Sequence, residues 1–221
     1  MPRQADHDQR RHQIAEAVWR LAARRGLEDV TLRQVAAEAG VSVRLIQYYF
    51  GSRDALLLKA LEILNHDAQL RARARVEAQD DANTPRGVVR GVLMEMLPMD
   101  EERRTRHLVH VAYFVRFLWD ENLAPIAAEA PPELERLLAD LITWGQREGQ
   151  VPADLDPLPE AEILLATADG LQTTVLLRQR TPDQALALLD RQLDRLFSAA
   201  PAPTRTPAPT PTPTPESPEA P

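Results

Sequence analysis

The chain has 221 residues, 44% hydrophobic and 27% charged, which is enough apolar material to pack one domain or a small one joined to a larger one. It contains no cysteine, so disulfides and thiolate chemistry are excluded. The net charge of −7 is unevenly spread: residues 1–53 hold nine Arg against six acidic side chains, a net of +3, and the remainder carries −10, as expected of a DNA-facing module on an acidic body.

The opening run MPRQADHDQRRHQ has no apolar centre, which excludes a signal peptide, and no stretch is apolar enough to span a bilayer; a cytoplasmic location follows as an expectation. Helical periodicity then dominates the chain and no segment sustains strand alternation. Ile14, Ala17, Val18, Leu21 and Ala22 form one apolar stripe, ended by Gly26 with Arg24 and Arg25 in the last turn. Thr31 and Gln34 form a capping-box pattern for a short helix that stops at Ala39 before Gly40. Ser42 caps a third helix over 43–50. After Gly51–Ser52 a longer helix starts near Arg53, with Leu56, Leu57, Ala60, Leu61 and Leu64 inward.

Thr84–Pro85 starts another helix and Pro98 closes it; residues 100–119 form the next. Pro125 and Pro131–Pro132 interrupt the chain around a short helix. Further helices are expected over 132–148, with Gly149 as cap, over 159–179, and over 182–198 behind Thr181–Pro182–Asp183–Gln184. The fold class is therefore all-α, about nine helices. Residues 199–221, with nine Pro, five Thr and no large apolar residue, are expected to form an extended, disordered tail.

Residues from Thr31 to Phe50 have the proportions of a helix-turn-helix. On its second helix Ile46, Tyr49 and Phe50 point inward, toward Val35, Ala36, Leu21 and Val18. Val43, Arg44, Gln47 and Tyr48 point away. Arg and Gln can make paired hydrogen bonds to guanine and adenine edges in the major groove, and a Tyr hydroxyl can reach a phosphate.

The run VTLRQVAAEAGVSVRLIQYYFGSRDALL resembles the DNA-binding domain of the TetR family of repressors, over about residues 10–64. The resemblance implies a phosphate contact from Thr31, base contacts from Arg44 and Leu45, and phosphate contacts from Tyr49 and Arg53; Arg33, on the capped helix, joins the candidate DNA-binding set. Two positions depart from the family pattern, Arg44 where Gly is common and Gln47 where Tyr is common, which implies a different operator. Arg10 and Arg11 form a basic arm within reach of the backbone or a minor groove.

On this reading residues 1–54 are the DNA-binding domain and 55–198 a ligand-binding and dimerisation domain of six helices. The 159–179 helix is apolar nearly all round, and an Asp169–Gly170–Leu171 step is similar to that of the choline-responsive branch. Ile163, Thr167, Gly170, Leu171, Leu188, Leu189, Leu193 and Leu196 are the candidate interface of a homodimer joined by a four-helix bundle. Such a dimer would hold two recognition helices about 34–36 Å apart over a near-palindromic site. His110, Tyr113, Phe114, Phe117, Trp144 and Gln172 are the candidate effector pocket, suited to an apolar or cationic small molecule. No cofactor is expected. His107 and His110, one turn apart, lack an evident third metal ligand.

Two other classes compete. An enzyme would need a nucleophile–base pair, a phosphate loop or a zinc motif, none of which occurs. A DNA-free interaction module would use the acidic body and the Pro/Thr tail, and leaves the basic, outward Arg/Gln face unexplained.

Overall fold

The computed structural model describes residues 2–28, 30–121 and 132–198; the expected short helix near Pro125 and the tail after Ser198 lie outside them. Among the described residues there are nine helices and no strand: α1 (Pro2–Arg25), α2 (Leu32–Ala39), α3 (Val43–Phe50), α4 (Arg53–Glu77), α5 (Pro85–Glu95), α6 (Glu101–Trp119), α7 (Glu133–Arg147), α8 (Pro157–Leu176) and α9 (Pro182–Leu196). None is long and apolar enough to cross a membrane.

The helix starts follow the local chemistry. Both capping boxes form, Thr31 with Gln34 and Thr181 with Gln184, and Thr84 caps α5 ahead of Pro85. The α8 boundaries differ from expectation. Asp156 caps the helix two residues earlier, with Pro157 in its first turn, and Arg178 adopts a left-handed φ of 59° just past its end. The Asp156–Pro157 pair is the local start signal, a side-chain cap followed by proline in the first turn.

Two hydrophobic cores result. One packs Ile14, Val18 and Leu21 of α1 against Val35, Ile46, Leu56, Leu57 and Ala60, and it draws in Val109 and Tyr113 of α6. The other joins α5, α7, α8 and α9 through residues such as Val89, Leu93, Leu138, Ile142, Leu164, Ala168, Leu189 and Leu193.

α6 is fastened at both ends. At its C-terminal half the Tyr113 hydroxyl donates to the Leu57 carbonyl (2.6 Å), Arg116 to Asp54 (2.7 Å), and His110 Nε2 lies 2.8 Å from Asn65 Oδ1. At its N-terminal half Arg103 donates to buried Glu95 (2.9 Å) and Arg106 to the Glu95 carbonyl (2.7 Å), while Arg75 of α4 reaches the same carboxylate (2.9 Å). Charge-assisted bonds of this kind hold one geometry more firmly than apolar contact alone. α6 thus joins the two cores alongside the direct packing of α4 on α5.

Candidate nucleic-acid interface

The turn between α2 and α3 is built from three short-range choices. Gly40 sits at φ 67°, where a side chain would be strained, and the Val41 amide closes back on the Ala36 carbonyl at 2.9 Å. Ser42 then accepts from the Leu45 amide at 3.1 Å and starts α3. Ile46, fully buried, anchors the helix to the head core; truncating such a side chain to Ala costs about 2–5 kcal/mol.

With Ile46 inward, Arg44, Gln47 and Tyr48 are exposed side by side, Tyr48 to 72%. Arg33 on α2 is exposed on the same motif, and among the described residues neither Arg33 nor Arg44 has an ion-pair partner. Arg20 and Arg24 contrast with them: both hold Glu38, at 2.7 and 3.3 Å, and their hydrogen bonds and charge keep its carboxyl below the usual carboxylate range. Thr31 is exposed, with its hydroxyl engaged by Gln34 in the cap.

Four expected contact residues sit differently. Val43 packs against the head core because it lies one turn before Ile46, and Leu45 is half-buried. Tyr49 is half-buried, edge-on to His7 and Tyr48, with the Arg11 guanidinium 6.0 Å from its ring centre; this holds the α1 arm against α3. Arg53 is a clasp: it donates to the carbonyls of Val30 (2.6 Å), Leu27 (2.7 Å) and Glu28 (3.1 Å). These acceptors lie more than twenty residues away, which no local pattern reveals.

Of the candidate effector residues only Tyr113 and Phe117 pack in a core, that of the head. Tyr113 is buried beside Phe117 in the head core, ring centres 6.3 Å apart, and desolvation raises its hydroxyl pKa well above the ordinary value. Phe114 is 61% exposed, while Trp144 and Gln172 are half-buried on α7 and α8. Burial and the nearby Arg106 lower His110 to about 4. Two open clefts, of about 420 and 370 Å³, are lined by none of these six residues; the larger borders Glu28, Arg53, Arg116 and Trp119 at the junction of head and body. No group of three or more metal-ligating side chains occurs among the described residues.

The expected dimer face also needs correction. Leu171, Leu189, Leu193 and Leu196 are buried within their own protomer's core, because they form the stripes of α8 and α9 that face α5 and α7. Ile163, Gly170 and Leu188 do lie outward; Thr167 is half-buried, its hydroxyl donating to the Ile163 carbonyl. The open stripe of α8 is Ile163, Ala166, Gly170, Thr173 and, just beyond its end, Leu177; that of α9 is Gln184, Ala187, Leu188 and Arg191. A Cβ placed at Gly170 would meet nothing within 4 Å. Leu177, 63% exposed on this stripe, and Leu158, 45% exposed off it at the start of α8, are apolar residues that sequence reasoning missed.

Comparison with known proteins agrees with this geometry. Residues 14–60 match the model of bacterial regulatory proteins of the TetR family, and residues 85–198 match the BetI-type transcriptional repressor C-terminal domain. The HTH-type transcriptional regulator PksA of Bacillus subtilis is 30% identical over 80% of this chain and 83% of its own length. The regulator BetI of Stenotrophomonas maltophilia is 33% identical over 77% and 83%. Among solved structures, a TetR-family regulator from Rhodococcus sp. superposes with a TM-score of 0.74 at 27% identity, covering 86% of this chain and all of that one. A transcriptional regulator from Saccharomonospora viridis, in complex with choline, gives 0.73 at 27%, over 85% and 96%. The chain belongs to the TetR family of transcriptional regulators, with a BetI-type C-terminal domain, and its relatives are regulators rather than enzymes.

Proposed function

We propose that this TetR-family regulator is a cytoplasmic repressor that binds a near-palindromic operator as a homodimer and is released by an apolar or cationic small molecule. The observation that carries the reading is the outward face of α3: Arg44, Gln47 and Tyr48 are exposed together, the side chains of Arg44 and Gln47 without a hydrogen-bond or ion-pair partner among the described residues, on a helix pinned by Ile46. Those side chains suit base edges and phosphates of the major groove. The open apolar stripes of α8 and α9 support an isologous dimer, in which two short helices from each protomer cover one another. Choline in the Saccharomonospora viridis neighbour supports a cationic effector.

The switch would run through α6. It is bonded to α4 at Leu57, Asp54 and Asn65, and α4 begins directly after the recognition helix. A ligand that prefers one position of α6 over another shifts the two-state equilibrium by its difference in affinity, and by no more. The test is a mobility shift with the DNA upstream of the chain's own gene. Retardation that survives non-specific competitor, falls with salt and is reversed by choline or a related cation is the expected result; binding that ignores sequence would defeat the reading.

A further inference from the structure

The smaller cleft, about 370 Å³, lies where the start of α6 meets the turn between α8 and α9. Three arginines line it, Arg104 from α6 and Arg178 and Arg180 from the turn, together with Gln179, Thr181 and Gln184; no carboxylate does. Among the described residues none of the three guanidiniums is within ion-pair distance of an acidic group. Other arginines of the body, such as Arg136 and Arg147, also lack a carboxylate partner among the described residues, but these three share one cleft. Residues 54–221 carry a net charge of −10, and Arg75, Arg86, Arg90, Arg103 and Arg116 each hold a carboxylate at 2.6–2.9 Å.

The turn that presents two of these arginines is closed by its own backbone. The amides of Arg178, Gln179 and Arg180 donate to the carbonyls of Val175 (2.9 Å), Thr174 (2.9 Å) and Thr174 (3.3 Å). The side chains therefore project from a fixed base, although their tips are exposed. The N-terminus of α9 adds little, because its capping box already takes the amides of Thr181 and Gln184. The charge of the arginines makes the site. Three like charges around one cleft repel, and a ligand with two or more negative oxyanion groups both relieves that repulsion and matches the planar donor geometry of guanidinium.

We propose that this cleft binds a small polyanion, a phosphate ester or polycarboxylate, that bridges α6 to the α8–α9 turn. The site is separate from any apolar or cationic effector pocket. Its place on α6, the helix tied to the head at Tyr113 and Arg116, makes it an effector site; that role rests on the DNA-binding reading above, whereas the binding itself does not.

Isothermal titration of the full chain with pyrophosphate and with citrate, at constant ionic strength held by chloride, tests the site. Saturable binding of one anion per protomer is expected, weakened at least tenfold in Arg104→Gln and in Arg178→Gln/Arg180→Gln. Tighter binding of pyrophosphate assigns the phosphate-bearing class, and tighter binding of citrate the polycarboxylate. Absence of a saturable heat with both probes, or equal affinity in the variants, would overturn the proposal. Without probe, the variants should bind operator as the wild type does, so failure of the anion site and failure of DNA binding are told apart. Pyrophosphate that binds yet leaves operator affinity unchanged would overturn the effector role.

Discussion

The outward face of α3 and the outward faces of α8 and α9 are both bare in the protomer, and the physics of the two is opposite. Arg44, Gln47 and Tyr48 are at ease in water, so α3 can stand exposed until a partner of matching hydrogen-bond pattern and charge arrives. Ile163, Leu177 and Leu188, with Leu158 nearby, are not; each square ångström of such surface gains roughly 25 cal/mol on burial. Small residues between them, Ala166, Gly170 and Ala187, let another helix approach closely. A DNA-facing surface is thus recognised by the direction of a few polar groups, and a protein-facing one by apolar area.

The largest effect should come from making the second face like the first. Ile163→Asp with Leu188→Asp places charge where the partner's apolar face would sit, and should yield a monomer by sedimentation. Losing the second half-site contact then lowers operator affinity by roughly 10²–10⁴-fold. A double variant that stays dimeric would remove these stripes as the interface.

Arg53→Ala sharpens the first face by separating support from contact. Removing a charged donor from the carbonyls of Val30 and Leu27 should lower unfolding stability by about 1.5–3 kcal/mol in denaturant melts. Unchanged stability combined with weaker DNA binding would return Arg53 to the phosphate-contact role that family resemblance implies.

Acid should attack the connection between the faces. His107, buried on α6 beside Arg106, His110 and the backbone of Glu95 and Leu97, is lowered to about 3, chiefly by desolvation, from an ordinary value of 6.5. The unfolded chain takes up the proton first, so the stability of the neutral buried ring is complete above about pH 6.5 and declines as pH falls toward 3. At pH 5 the loss is roughly 2 kcal/mol. His107→Gln should flatten that slope between pH 6.5 and 5, and equal slopes in the two proteins would show that another group titrates. The smallest effect is at the cap of α2, where Thr31→Ala should cost about 1 kcal/mol in the same melts.

How much of this was legible before folding follows the reach of each interaction. The Thr31–Gln34 and Thr181–Gln184 boxes and the Gly40 turn are settled within four residues, and the structure places them where the sequence puts them. The outward direction of Arg44 and Gln47 followed from the period of α3. Periodicity also finds the apolar stripes of α8 and α9, yet it does not say which stripe faces the protomer's own core, and so does not separate buried Leu189 and Leu193 from exposed Leu188. Tyr113 and Phe117 posed the same problem, since a ring in a core and a ring in a pocket share one spacing. The Arg53 clasp and the Arg104–Arg178–Arg180 cleft join residues more than twenty positions apart, and only the folded chain brings them together.

Selection of bound duplexes from a random pool, run with wild type and with Arg44→Ala, tests both faces at once. The account predicts a near-palindromic site with half-sites about one helical turn (10–10.5 base pairs) apart, and loss of preference at one base pair in each half with the variant. Enrichment of no sequence, of a single unpaired half-site, or of the same site with undiminished preference in Arg44→Ala would contradict it.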